Sequence, residues 1–132
     1  NTTYRIYDYG RVGKDGKPRE LHVEKAKDVT NLVPPKYPTT AQGAPEKISG
    51  GTETLLRSCE YFNVNKLELD GTAKLTAGEG SFNSLLVLDG SFEVAAGSEK
   101  MNAKKGDSLF ISAGTGDYTV TGNGMIILTD II

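Results

Sequence analysis

From Glu53 onward the chain is cut into short alternating apolar–polar stretches by turn residues. That pattern constrains the fold more than any other feature. Period-2 character runs through Glu53–Phe62, Val64–Asp70, Phe82–Leu88 and Ser91–Ala96. It returns in Ser108–Ser112, Tyr118–Thr121 and Met125–Thr129. Gly71 breaks one stretch, which resumes at Thr72–Thr76, Asp89-Gly90 reads as a hairpin dipeptide, and Asn123-Gly124 reads as a second turn. About eight short strands with regularly spaced turns predict an all-β sandwich or barrel.

The first fifty residues read differently. Thr2–Tyr9 alternates and is rich in β-branched and aromatic residues, so it is expected to be a strand. Gly10–Pro18 is a polar, glycine-rich loop, and the apolar spacing after Leu21 predicts a short helix over Glu24–Asn31 ended by Pro34-Pro35. Residues 34–50, with four prolines, form a connector too proline-rich for a sheet interior.

The chain has 132 residues, enough for one sizeable core. Its net charge of -2 hides an asymmetry: residues 1–50 carry +3 and residues 51–132 carry -5. Neither half is basic enough for nucleic-acid binding, and no apolar run approaches a membrane span. A single Cys precludes an intrachain disulfide, and a reduced, cytoplasmic setting is the default expectation. The chain starts at Asn1 with no charged or apolar leader, and the expectation is a piece of a longer protein.

One His and one Cys make a self-contained zinc site a poor fit. His22, flanked by Glu20 and Glu24, is expected to serve a structural or hydrogen-bonding role, because one further ligand from Glu20 or Glu24 would leave a metal shell badly incomplete. Cys59 alternates with Leu55, Arg57 and Tyr61 and is expected to be a buried small hydrophobe. Ala77-Gly-Glu-Gly-Ser81 and Gly114-Thr-Gly116 precede no helical pattern, so they are expected to be turns and not phosphate loops. Arg5 shares a strand face with Thr3 and Tyr7 in this reading. It is either a solvated or ion-paired cation, with Asp8 or Glu20 as partner, or a fixed cation for a phosphate or oxyanion.

Asn1-Thr-Thr-Tyr-Arg-Ile-Tyr-Asp-Tyr-Gly-Arg11, Gly16-Lys-Pro-Arg-Glu-Leu-His-Val-Glu-Lys25 and Asp28-Val-Thr-Asn31 resemble the C-terminal part of the short bacterial type I mannose-6-phosphate isomerases. The likeness extends through the proline-rich connector to Gly106-Asp-Ser-Leu-Phe-Ile-Ser-Ala-Gly114, which is similar to a cupin hairpin. The resemblance implies a cupin-like jelly-roll β-sandwich with a short helix near its N-terminal end. It divides the chain into residues 1–33, the end of a catalytic cupin unit, a connector over 34–50, and a jelly roll over 51–132.

The implied activity is interconversion of mannose 6-phosphate and fructose 6-phosphate through an enediolate, in an enzyme holding zinc. Gln, Glu and two His ligate that zinc in the family, and none maps onto this chain. The ligands are expected upstream of residue 1, Ser112–Asp117 contains no His, and the isolated chain is expected to be inactive. The residue carried over is Arg5, matching the family's active-site arginine, while Gly10 stands where many relatives have an acidic residue. A phosphosugar and the missing catalytic portion are the implied partners. The competing expectation is a non-catalytic β-sandwich module, sugar-binding or structural.

Overall fold

A computed structural model describes residues 2–34 and 39–131, and the chain divides into two compact units, Asn1–Tyr37 and Pro38–Ile132. In the first unit, one helix, α1 (Val23–Val29), starts one residue before its expected position and ends two residues before it. Thr30 stops it: its backbone turns extended while its hydroxyl donates to the Ala26 carbonyl at 2.6 Å. A β-branched residue with a competing hydroxyl suits a helix end better than its interior. Pro34 is not needed for the stop, and Pro35 lies outside the described residues.

The strand expected over Thr2–Tyr9 does not form. Alternation assigns side chains to faces, but a strand also needs a neighbour for its N–H and C=O groups. Among the described residues, this segment shares one backbone–backbone bond with the returning chain, from the His22 N–H to the Arg5 carbonyl at 2.6 Å. The glycine-rich loop does turn the chain back, with Val12 bridging Pro18 and the Gly13 N–H donating to the Lys17 carbonyl at 2.8 Å.

The second unit is a seven-stranded antiparallel sheet. Its strands are β1 (Glu46–Ile48), β2 (Gly51–Ser58), β3 (Phe62–Ala77), β4 (Asn83–Ala96), β5 (Glu99–Lys104), β6 (Ser108–Ile111) and β7 (Gly116–Ile131). The order is β1-β2-β3-β7-β4-β5, with β6 beside the first half of β4 and β5 beside the second. β1 falls inside the expected connector, pairing Glu46–Ile48 with Gly51–Glu53 across a tight turn.

Strands β3, β4 and β7 run 14 to 16 residues, where the sequence had predicted pairs of short strands. Gly71, Asp89-Gly90 and Asn123-Gly124 lie inside these strands. Their turn chemistry is real but serves a bend: Gly71 faces Gly122 and Gly90 faces Gly124 across the ladder. At Gly90 the backbone has φ of +80°, and a Cβ there would strike the Asn123 carbonyl oxygen.

A β-bulge between Val87 and Asp89 explains a change of parity along β4. Leu85 and Val87 are buried before it and Phe92 and Val94 after it, so the buried set moves from odd to even positions. One extra residue in a period-2 chain turns every later side chain over, which keeps both halves of β4 facing the core. That core also takes Leu67, Leu69, Ala73 and Ala77 from β3, and Tyr118, Val120, Ile126 and Leu128 from β7. Leu67, Leu85, Ile126, Val87 and Val120 are the largest side chains with no appreciable exposure. Each contributes roughly 1.5–3 kcal/mol by leaving water.

Candidate functional site

Arg5 is fixed at both ends. Its backbone N–H donates to His22 Nδ1 at 3.2 Å, complementing the bond from the His22 N–H to its carbonyl. Its guanidinium Nη1 donates to the Glu20 carbonyl oxygen at 2.9 Å, and its Nε lies 3.4 Å from Asp8 Oδ1. Of the two carboxylates proposed as partners, Asp8 pairs through its side chain, whereas Glu20 holds the arginine through its backbone. His22 serves as a hydrogen-bond acceptor, and its ring lies 6.1 Å from that of Tyr4. With Nδ1 so engaged, it caps nothing at the start of α1.

Asp8 also accepts from a second arginine. Arg19 Nε donates to Oδ2 at 2.7 Å, and Arg19 Nη2 bonds Oδ1, a bidentate fork that presents two parallel donors to a carboxylate. The Arg19 hydrogen bond holds the Asp8 carboxyl below its ordinary range; partial burial opposes it, and the charges of Arg19, Arg5 and Arg11 add to it. Sequence reading missed this contact, since Asp8 and Arg19 stand eleven residues apart. The available signal was the glycine-rich loop, which folds one arm onto the other.

The second unit carries a different polar group. Asn83 on β4, buried, donates through Nδ2 to the Tyr118 hydroxyl at 2.8 Å and to the Thr76 carbonyl at 3.1 Å. In the neighbouring register position Asn63 donates to Asp130 Oδ1 at 3.0 Å. Burial pushes the Tyr118 hydroxyl upward, with Asn83 opposing and Asp130 adding. These bonds satisfy polar atoms inside the fold and tie β3, β4 and β7 together.

Cys59 is exposed, against its expected burial. β2 ends at Ser58, so Cys59 sits in the turn to β3 where strand alternation no longer governs it. The two glycine clusters are turns as expected, and the Gly114 N–H donates to the Gly78 carbonyl at 2.9 Å. Among the described residues no three His, Cys, Asp or Glu side chains are grouped to hold a metal ion. The described residues therefore offer no donor set that would hold zinc by itself. Among the described residues, no helix is long and apolar enough to cross a membrane.

An antiparallel sheet whose long strands bend around one core, with a short helix in the segment before it, defines the class: a cupin-like jelly roll. Residues 51–131 match the family described as mannose-6-phosphate isomerase, cupin domain, and the chain belongs to that family.

The chain is 33% identical over 131 residues to mannose-6-phosphate isomerase ManA of Bacillus subtilis (strain 168), covering 99% of this chain and 41% of that protein. It is 32% identical over 111 residues to the mannose-6-phosphate isomerase of Streptococcus mutans, covering 84% of this chain and 34% of that one. The crystal structure of the Bacillus subtilis mannose 6-phosphate isomerase superposes with a TM-score of 0.74 at 31% identity, over 98% of this chain and 40% of that one. An RmlC-like cupin from Shewanella frigidimarina shares the fold alone, with a TM-score of 0.57 at 22% identity, over 68% of this chain and 84% of that one. The chain thus spans about two fifths or less of the length of these isomerases.

Proposed function

We propose that this chain is the C-terminal portion of a mannose-6-phosphate isomerase and that Arg5 is a catalytic cation of the complete enzyme. Residues 1–33 then close the catalytic unit, 34–50 connect, and 51–132 buttress it as a jelly roll. Moving a proton between C1 and C2 of an aldose phosphate builds negative charge on the sugar oxygens. A guanidinium held in advance stabilises that charge without reorganising during the reaction. The fixed geometry of Arg5, tied through both backbone groups and through its guanidinium, is the observation that supports this role.

Exposed apolar side chains in the first unit support the division of the chain. Ile6, Tyr7, Tyr9, Val12, Leu32 and Val33 are all more than half exposed, and Ala26 is the one buried hydrophobic of the described residues there. A surface of that kind is expected where another part of the protein packs. Zinc, as in the resemblance, belongs to residues outside this chain, and the phosphosugar is the substrate of the whole. Cytoplasmic location is part of the same reading.

In the full-length protein, Arg5→Ala is expected to lower isomerase turnover by about 10²–10³ while metal content and thermal unfolding stay unchanged. Undiminished turnover would remove Arg5 from the mechanism. A second reading takes the chain as a non-catalytic sugar-binding or structural module. Isomerase activity with bound zinc in the 132-residue chain alone would rule that out.

A further inference from the structure

We infer that Asp8 and Arg19 are positioning residues that set the direction and the residual charge of the Arg5 guanidinium; the inference rests on the reading of Arg5 as the isomerase's cation. Arg5 and Arg19 share the same carboxylate, Arg19 with hydrogen bonds to both oxygens and Arg5 with its Nε 3.4 Å from Oδ1. The pattern divides the labour. Arg19 engages both oxygens of Asp8, so the carboxylate keeps a fixed orientation without belonging to Arg5 alone. Two guanidiniums around one carboxylate leave a net charge of +1 at the cluster, and Arg11 adds to the field there.

An arginine paired alone with an aspartate would be oriented but neutralised. An arginine with no carboxylate partner would keep its charge but lose one of the contacts that orient it. The shared carboxylate gives orientation and charge together, which a group awaiting a developing oxyanion requires. The glycine-rich loop is what makes this possible, because it returns Arg19 and His22 alongside Asp8 and Arg5.

A double-mutant cycle on the full-length isomerase, with mannose 6-phosphate as substrate, tests the inference. Asp8→Asn and Arg19→Gln are each expected to lower kcat about ten- to a hundredfold, with KM changed less than about threefold. In an Arg5→Ala background the same substitutions should change kcat less than about twofold, because nothing remains to position. Arg19→Lys, which keeps the charge but loses the fork, should recover part of the loss. Thermal unfolding of each variant separates these effects from misfolding. Equal losses with and without Arg5 would overturn the inference in favour of a purely structural role, as would normal kcat in both single variants. A normal kcat in Arg5→Ala would instead sink the assignment of Arg5 itself, and the positioning role with it.

Discussion

Glu53 on β2 stands directly opposite Glu46 on β1, partly buried, with Asp130 adding to the negative field. Burial is the main cause raising its carboxyl above the ordinary value, and the two acidic neighbours raise it further. The sign follows from linkage. A carboxyl with a raised folded value penalises the folded state above that value, and the penalty disappears once pH falls below the unfolded value of about 4.3. Glu53→Gln is therefore expected to stabilise the protein at pH 7 by roughly 0.2–1 kcal/mol, the scale of an unfavourable cross-strand pair. The gain should vanish near pH 4. Denaturant titrations of both proteins at the two pH values check this, and equal stabilities at pH 7 would contradict it. The Arg5 cluster shows the opposite electrostatics, with Asp8 among cations, and it was only half legible. Asp8 was anticipated as a partner, whereas Arg19 comes close only once the loop has turned.

Among the elements, β4 shows most clearly what local sequence conveys. Asp89-Gly90 signalled an interruption, and one exists, but as a bulge inside a continuous strand. Turn dipeptides report a backbone tolerant of positive φ; whether the chain then reverses or merely bends depends on neighbours that sequence spacing does not display. Gly71 and Asn123-Gly124 misled for the same reason. Thr2–Tyr9 failed in the other direction, since its alternation was sound but no partner strand came to meet it. The β-rich composition, the short helix and the turns at Gly78–Gly80 and Ala113–Gly114 were readable because each rests on local preference alone. Gly90→Val combines a strained φ with a backbone collision and is expected to cost more than about 2 kcal/mol. Chemical denaturation would show it as a lower midpoint with an unchanged slope. An unaltered midpoint would mean the bend is not held by this glycine.

For the whole molecule, the two units differ in self-sufficiency. The second unit contains thirteen buried hydrophobic residues in one cluster, while the described residues of the first bury only Ala26. A chain of residues 39–132 is expected to unfold in one cooperative transition by circular dichroism and calorimetry, whereas a peptide of residues 1–34 should show none. A cooperative transition in the peptide would contradict the contrast drawn from burial. The resemblance to an isomerase was legible because its motifs lie in the contiguous stretch from Asn1 to Asn31.

β7 is the last element in chain order, yet it lies between β3 and β4 in the sheet. Its end at Ile131 pairs with Phe62, about seventy residues earlier. During synthesis, β1–β3 and β4–β6 must therefore wait with open edges until the sixteen-residue β7 has left the ribosome. The molecule closes like a zip whose slider is fitted last. The aggregation-prone interval lasts until β7 has docked, and deleting a few residues from β7 would do more damage to folding than deleting as many from a loop.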